Sequence, residues 1–339
     1  MKFMKKFNEK QILNLIISRF GIPNIEPCFG KDDVSILPIN SLGSGLYESK
    51  LLAVTCDMLV EHTDVPPKMT LEQIARKSMV SSISDLVSKG VKPRFALISL
   101  GLPQTLKNNE ISKLLDGFTL SSKDFKIDII GGDINESKEI IIDCCMFGSL
   151  SSKVNVPRRN GAQEGDLVIV SGIFGYTSSG LRILMNNLPS PDNHFKKNSI
   201  DSVLNPVPSY KFGILFAHYL SSSTDSSDGL AAGLNQISSE SNVNLLIDEK
   251  SIPVPTQLRR FSSMNVLDYF ELIFYGGEEY HIIGTISKKN LMRISKTLKN
   301  HKLDIFVIGK VVRGSGQVLV LKNNGDTEAL ENRGFTHLG

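Results

Sequence analysis

The sequence lacks a long apolar run near its start. Residues 1–10 are basic, but the stretch Gln11–Phe20 that follows is interrupted by polar Asn14, Ser18 and Arg19. The apolar segment of a signal peptide and a membrane-spanning helix are both less interrupted than this. We therefore predict neither a signal peptide nor a membrane span, and we expect a cytoplasmic protein.

An excess of basic charge is also missing. The chain has 38 Lys and Arg against 35 Asp and Glu, a formal net charge of +3. Because nucleic-acid-binding surfaces usually need clustered basic charge, this balance predicts no nucleic-acid partner.

The four cysteines show no metal-binding pattern. Cys28, Cys56, Cys144 and Cys145 form no Cys-x-x-Cys pair, and no histidine lies at the spacing of a zinc ligand. Cys144 and Cys145 lie in an apolar run, so we expect both to be small reduced core residues.

The common nucleotide-binding motifs are absent as well. There is no Gly-x-x-x-x-Gly-Lys-Ser/Thr phosphate loop and no His-Arg-Asp kinase motif. The turn Gly172-x-x-Gly175 is too short for a dinucleotide fingerprint. A protein with this sequence that uses ATP must therefore do so with a less common fold.

Strand-like and helix-like segments alternate without the strict β-α-β order of a doubly wound sheet. The helical pattern Thr70–Lys89 begins with a Thr70–Gln73 capping box and ends at Gly90. Polar Asn155–Gly165 indicates a domain boundary, and Leu188–Pro208 indicates an irregular excursion. With 339 residues the chain can form two cores. We predict a mixed α/β (α+β) fold with an N-terminal domain at 1–150 and a C-terminal domain at 151–339.

Aspartates at strand ends, in glycine turns and on one helix are the most informative feature. They are Asp32, Asp33, Asp57, Asp85, Asp133 after Gly131-Gly132, and Asp225 and Asp228 in Asp225-Ser226-Ser227-Asp228-Gly229. Magnesium prefers oxygen ligands, and carboxylates from several strand ends can converge on one ion. Neighbouring glycines let backbone amides approach a phosphate closely.

Each aspartate taken alone also has an ordinary interpretation. Asp32–Asp33 fits a solvated turn, Asp57 a strand-end turn and Asp133 a tight glycine turn. Asp85 fits an ion pair with Lys89 one helical turn on, and Asp225 and Asp228 fit helix capping. Their occurrence together, in this order, favours a site for metal and phosphate.

The set of motifs resembles the thiamine-monophosphate kinase family, in the superfamily that contains aminoimidazole ribonucleotide synthetase. The resemblance runs from about Phe29 to the C-terminus. It is carried by Lys31-Asp32-Asp33, Thr55-Cys56-Asp57-Met58-Leu59-Val60, Ser84-Asp85-Leu86, Gly131-Gly132-Asp133, Arg159-x-Gly161-Ala162-x-x-Gly165-Asp166, Asp225-x-Ser227-Asp228-Gly229-Leu230 and Gly276-Gly277-Glu278-Glu279-Tyr280.

The resemblance implies a fold and a reaction. The fold is the two-domain fold of the superfamily, with the N-terminal sheet pairing with a second copy in a homodimer. The reaction is direct, in-line transfer of the γ-phosphoryl group of ATP to thiamine monophosphate, giving thiamine diphosphate and ADP with the assistance of Mg²⁺.

The resemblance also implies a role for individual residues. The magnesium ligands would be Asp33, Thr55, Asp57, Asp85, Asp133, Asp225 and Asp228. ATP would contact Gly132, Asp133, Arg159 and Ser227, and the thiamine substrate would contact Asp64, Glu278 and Phe335. No side chain is assigned to acid, base or nucleophilic catalysis. Ordinary alternatives are a solvated loop position for Arg159 and for its neighbour Arg158, helix capping for Ser227 and core packing for Phe335.

Departures from the family pattern leave details open. Lys31 stands where many relatives have glycine, and Gly277-Glu278-Glu279-Tyr280-His281 replaces the usual Gly-Glu-Asp-Tyr-Glu. A substrate-binding histidine of bacterial relatives aligns with Asp64, whereas His62 lies two residues earlier, so the choice between them stays open.

Three other functions remain alternatives at this point. They are a related ATP-dependent cyclase or synthetase, a maturation factor that acts on a protein partner, and a nucleotide-binding module without catalysis. Maturation factors of this kind carry a C-terminal cysteine, whereas this chain ends Thr336-His337-Leu338-Gly339. The retained set of acidic residues argues against a module that has lost catalysis.

Overall fold

The first half of the chain builds one sheet with helices on one of its faces. The computed structural model describes residues 11–14, 16, 32–38 and 50–334. The elements of this half are β1 Ser35–Pro38, β2 Lys50–Val60, α1 Glu61–Asp64, α2 Leu71–Ser88, β3 Phe95–Leu102, α3 Asn108–Phe125, β4 Asp128–Gly131, β5 Ile134–Glu136 and β6 Ile141–Ser151. The strand order is β1-β2-β6-β3-β4, and β5 also pairs with β3. Pairing is antiparallel except where β3 meets β4 and β5.

The second half builds a larger sheet. Its elements are β7 Leu167–Val170, α4 Tyr176–Asn186, α5 Asn193–Leu204, α6 Tyr210–Phe216, β8 Ser222–Asp225, α7 Leu230–Ser241, β9 Asn244–Asp248, α8 Thr256–Met264, α9 Tyr269–Phe274, β10 Ile282–Ile286, α10 Lys288–Asn300, β11 Phe306–Val312, β12 Val318–Leu321 and β13 Thr327–Ala329. The order is β13-β12-β9-β11-β7-β10-β8. The mixed α/β fold class predicted from the sequence is therefore confirmed.

The two sheets differ in how their faces are covered. In β7, Val168 and Val170 face one apolar core while Ile169 faces a second core on the other side. Strands covered on both faces are apolar at every position, as β7 is. In the first sheet, by contrast, Ile142, Cys144 and Met146 of β6 point into the core, and the residues between them are only partly buried.

The alternating side-chain directions along β6 correct the expectation for one of the two adjacent cysteines. Cys144 is a buried core residue, as predicted. Cys145 lies on the opposite, partly exposed face of the sheet, because successive side chains of a strand point to opposite sides. The prediction that both cysteines lie in the core is therefore wrong for Cys145.

Helix α2 lies between the two sheets. Its N-terminus has the predicted capping box, in which Thr70 and Gln73 satisfy each other's backbone N–H groups. The helix packs on β2 and β6 of the first sheet and on β8 of the second. It is therefore buried on almost every side, including several of its polar residues.

The expected irregular excursion at Leu188–Pro208 contains a helix. The Asp192 side chain accepts a hydrogen bond from the backbone N–H of Phe195 at 2.7 Å and begins α5. Phe195 anchors this helix in the second core, and Val203 is buried as well. Among the helices in the described ranges, none combines the length and apolar character needed to cross a membrane.

Candidate functional site

Three carboxylates converge where the two sheets meet at α2. Oxygen atoms of Asp33, Asp85 and Asp225 lie within 4.8 Å of one another. Asp33 lies two residues before the start of β1, Asp85 lies on α2 and Asp225 ends β8. The cluster therefore collects one carboxylate from each of the three layers.

Thr55 and Asp57 of β2 complete this cluster. Thr55 Oγ1 lies 2.6 Å from Asp85 Oδ2 and 3.2 Å from the backbone carbonyl oxygen of Asp33, so its hydroxyl proton has two neighbouring acceptors. Asp57 is two residues further along the strand, so its side chain points to the same side as Thr55. On the far side of the cluster, Ser84 Oγ donates to Asp225 Oδ2 at 2.8 Å.

Burial makes the negative charge of this cluster unfavourable. It raises the pKa of Asp57 and of Asp85, and it raises the pKa of Asp225 to about 8. The neighbouring carboxylates add to each of these shifts. Within the described ranges of the chain, Oδ2 of Asp57 and Oδ1 of Asp225 are buried and accept no hydrogen bond. Buried carboxylate oxygens without donors, grouped with a threonine hydroxyl, fit a divalent cation that prefers oxygen ligands.

Asp33 differs from the other carboxylates because cations already lie beside it. Although burial alone would raise the pKa of Asp33, the guanidinium of Arg159 and the ammonium of Lys89 lower it. Lys89 Nζ lies 2.7 Å from Asp33 Oδ2, and Arg159 Nη2 contacts Asp33 Oδ1. Arg159 Nε also donates to Thr224 Oγ1 at 3.2 Å.

This arrangement excludes several ordinary interpretations. Asp33 is buried and Asp32 lies 2.7 Å from Lys89 Nζ, so the pair does not form a solvated turn. Lys89 is paired with these two residues rather than with Asp85. Arg158 is not a solvated loop residue either, since its Nη1 donates to the carbonyl oxygen of Val34 at 3.0 Å.

Gly132 and Asp133 lie in the turn that follows β4. Both are exposed, between β4 and β5. Gly132 has a φ of +154°, and a Cβ atom there would overlap the carbonyl oxygen of Ile98 in β3. The carbonyl oxygen of Asp133 accepts a hydrogen bond from the Leu100 N–H at 2.8 Å. The backbone at this turn is therefore closely packed, and Asp133 is not among the three carboxylates whose oxygen atoms lie within 4.8 Å of one another.

Ser227 and Asp228 follow the end of β8. The N-cap of α7 is Gly229, so the expected alternative of an aspartate N-cap is wrong. Asp228 is partly exposed and lies against Gly334. The carbonyl oxygen of Ser227 accepts a hydrogen bond from the backbone N–H of Glu278 at 2.7 Å.

A second set of polar contacts connects two of the residues that are expected to contact the thiamine substrate. Lys77 on α2 is buried, and its Nζ lies 2.6 Å from Glu278 Oε1 and 2.5 Å from the carbonyl oxygen of Asp64. The Asp64 carboxylate accepts from the Val60 N–H at 2.7 Å. The His62 side chain is 70% exposed and pairs with Glu139. Phe335 and Lys31 lie outside the described residues.

Sequence reasoning missed Lys77, Ser84 and Lys89 as parts of these groups. All three lie on or at the end of the long helical pattern, and all three are buried. The available signal was polar residues at helical spacing, on a helix whose apolar residues also recur at helical spacing. Lys77, Ser81, Ser84 and Ser88 follow one another at steps of three or four residues, and Lys89 lies four residues after Asp85. A helix with two such stripes has two packing partners.

Comparisons with known proteins agree with this architecture. The chain matches the family model for AIR synthase related protein, N-terminal domain, over residues 32–150, and the model for its C-terminal domain over residues 163–322. The two-sheet fold is thus that of the AIR synthase related proteins.

The individual relatives identify the family more narrowly than the family models do. The thiamine-monophosphate kinase of Nitrosopumilus maritimus is 36% identical over 334 residues, which are 98% of this chain and 99% of the relative. That of Pyrococcus horikoshii is 31% identical over 99% of this chain and 97% of the relative. A solved structure of AaThiL complexed with AMPPCP and TMP has a TM-score of 0.83 at 26% identity, covering 99% of this chain and 100% of that one. The chain belongs to the thiamine-monophosphate kinase family.

Proposed function

We propose that this protein transfers the γ-phosphoryl group of ATP to thiamine monophosphate, giving thiamine diphosphate and ADP. The observation that carries the proposal is the acidic cluster of Asp33, Asp85 and Asp225, flanked by Arg159 and Lys89. Phosphoryl transfer needs positioning and charge neutralisation more than covalent catalysis, and this cluster offers both. The AaThiL structure with AMPPCP and TMP supports ATP and thiamine monophosphate as the two substrates.

We propose Mg²⁺ as the metal of the acidic cluster. Thr55, Asp57, Asp85 and Asp225 would hold it, because their oxygen atoms converge and two of the carboxylate oxygens are buried without donors. Asp33 belongs to the same cluster, and we retain Asp133 and Asp228 as proposed ligands. Bound there, magnesium would neutralise negative charge on the two anionic substrates.

On the ATP side, we propose that Arg159 exchanges partners. Its guanidinium contacts Asp33 in this structure and forms a planar fork that also matches phosphate oxygens. Binding of ATP would draw Arg159 to the phosphates. Gly132, Asp133 and Ser227 would contact the nucleotide phosphates, Gly132 through its backbone.

On the thiamine side, we propose Glu278 and Asp64 as neighbours of the substrate. Lys77 binds the Glu278 carboxylate and the Asp64 carbonyl oxygen at the same time, so both residues border one region. His62 points to Glu139 instead, and this favours Asp64 over His62. The role of Phe335 stays a prediction.

The decisive test is product formation. The purified protein, given ATP, magnesium and thiamine monophosphate, should form thiamine diphosphate and ADP in equal amounts. Asp57→Asn and Asp85→Asn should abolish product, whereas Asp116→Asn, an exposed acidic residue on α3, should leave it unchanged. ATP consumption without thiamine diphosphate would contradict the proposal and favour a cyclase or a maturation factor with another acceptor.

We also propose a homodimer formed through the first sheet. The sheet face opposite α2 carries the apolar side chains of Met58, Phe95 and Leu97, which are 62%, 41% and 38% exposed. Exposed apolar patches of this kind mark interaction sites, and a second copy of the chain fits the expected pairing. Leu97→Glu should lower the mass measured by light scattering from that of a dimer to that of a monomer. An unchanged mass would contradict this interface.

Two further expectations stay proposals. The division into domains 1–150 and 151–339 is supported by the two separate sheets and their separate cores. The cytoplasmic location remains a prediction from the sequence.

A further inference from the structure

Lys89 is the most completely buried charged side chain next to the acidic cluster. It directly follows α2 as the C-cap residue, and its side chain has no exposed surface. Burial of an ammonium group is strongly unfavourable unless partners replace its water. Its surroundings therefore have to compensate for the full loss of hydration.

The compensation comes from three directions. Nζ lies 2.7 Å from Asp32 Oδ1 and 2.7 Å from Asp33 Oδ2, and it donates to the carbonyl oxygen of Ser223 at 2.5 Å. An ammonium group has three protons, so these contacts use all of its donors. Lys89 thereby joins the segment before β1, the end of α2 and strand β8.

The charges around the cluster are divided unevenly. Asp32 and Asp33 are paired with Lys89, Arg158 and Arg159. In the part of the chain that the structure describes, no cationic side chain lies within 4.0 Å of the carboxylates of Asp57, Asp85 and Asp225. One end of the site is therefore neutralised by the protein itself, and the other end is not.

We infer that Lys89 is a built-in cation of the acidic site, which neutralises the Asp32–Asp33 end permanently and so sets how strongly the site binds a divalent cation. Arg159 is expected to leave Asp33 for the ATP phosphates, but Lys89 has no free donor and no exposed surface, so it stays. Its positive charge opposes the binding of a further cation nearby. Removing that charge should therefore strengthen cation binding and at the same time lower the stability of the cation-free protein.

The test uses the whole protein with MgCl₂ alone, without nucleotide or thiamine monophosphate. Thermal unfolding is followed in EDTA and across a series of MgCl₂ concentrations. Lys89→Met keeps the length of the side chain and removes the charge. We expect this variant to have a lower Tm in EDTA, a larger rise of Tm with MgCl₂, and a half-maximal MgCl₂ concentration about tenfold lower than that of the wild type.

A matched control separates this effect from the general loss of a lysine. Lys197→Met removes an exposed lysine that pairs with Asp201 on α5, and it should leave the MgCl₂ response unchanged. If Lys89→Met lowers Tm by the same amount at every MgCl₂ concentration, Lys89 is only a structural cross-link and the inference is wrong.

A second variant covers the case in which Lys89→Met does not fold. Asp32→Asn keeps Lys89 and removes one of its two carboxylate partners, which makes this end of the site more positive. The half-maximal MgCl₂ concentration should then rise above that of the wild type, the opposite direction to Lys89→Met. An unchanged value would overturn the inference.

The inference rests on the proposed magnesium site, but the two can fail separately. If MgCl₂ leaves the Tm of the wild type and of all variants unchanged, both the proposed metal and the role of Lys89 are wrong. If the wild type responds and the variants respond in parallel with it, only the role of Lys89 is wrong.

Discussion

Replacing Asp225 would measure how much the metal-free acidic cluster lowers the free energy of unfolding. Burial and the neighbouring carboxylate of Asp33 raise its pKa from 3.8 to about 8. At pH 7 the folded protein therefore holds a proton on Asp225 that the unfolded chain has released. Each pH unit between 3.8 and 7 corresponds to about 1.4 kcal/mol, so this residue lowers the free energy of unfolding by about 4 kcal/mol.

The substitution Asp225→Asn should remove this penalty. Asparagine keeps a side-chain oxygen that can accept from Ser84 Oγ, the hydrogen bond that Asp225 Oδ2 now accepts at 2.8 Å. In EDTA at pH 7 we expect the variant to be more stable than the wild type by up to about 4 kcal/mol. Urea unfolding followed by circular dichroism measures this difference.

The pH dependence of this difference has a defined sign. An acid whose pKa is raised on folding contributes stability below its unfolded pKa, and that contribution is lost as the pH rises towards the folded value. The advantage of Asp225→Asn should therefore shrink from about 4 kcal/mol at pH 7 to about 2 kcal/mol at pH 5. Asp116→Asn, on the exposed side of α3, should show neither the gain nor its pH dependence.

Two results would refute this reasoning. One is an Asp225→Asn variant in EDTA that is no more stable than the wild type at pH 7. The other is an advantage that grows as the pH falls. The same variant should have lost kinase activity, since the stabilised cluster has lost one of its proposed ligands.

Three further outcomes follow from the structure. Gly132→Ala should destabilise the protein by on the order of 3 kcal/mol in urea unfolding, because its Cβ would overlap the Ile98 carbonyl oxygen. The control Gly165→Ala should lose only about 1 kcal/mol, since Gly165 has a φ of +91° and a Cβ atom there would meet no atom of the described residues within 4 Å. Burial raises the pKa of Glu279 to about 7, so the free energy of unfolding of the wild type should fall as the pH rises from about 4.5 to 7. Glu279→Gln should remove about 3 kcal/mol of that fall. Equal slopes of unfolding free energy against pH in the two proteins would contradict this. Lys77→Met should raise the KM for thiamine monophosphate about tenfold or more and leave the KM for ATP unchanged, because Glu278 loses its buried partner. An equal change in both KM values would indicate a general structural effect instead.

The sequence was informative where a residue's position in its own element determined its environment. Thr70 and Gln73 form the predicted capping box because all of its atoms lie within one helical turn. Asp33, Asp85 and Asp225 were expected to converge, and they do, but that expectation depended on the order of several motifs and on a resemblance. No single local pattern contained it.

The ion-pair partners of Lys89 could not be predicted from the sequence in the same way. Lys89 is four residues from Asp85, so helical spacing favours a pair between them. It pairs with Asp32 and Asp33 instead, more than 50 residues away in sequence, because the segment before β1 crosses the end of α2. Only the packing of the two sheets around the helix decides between these alternatives.

Helix α2 explains why the fold and the proposed site cannot be separated. Three of its polar side chains and its C-cap residue each reach a different part of the molecule. Lys77 contacts Glu278, Ser84 contacts Asp225, Asp85 accepts from Thr55, and Lys89 contacts Asp32 and Asp33. Buried polar groups of this kind stabilise a structure only when every partner is in place. A shift of α2 relative to either sheet would therefore break contacts at the acidic cluster and at Glu278 together, so the packing of the two sheets on this helix positions both substrates' proposed sites at once.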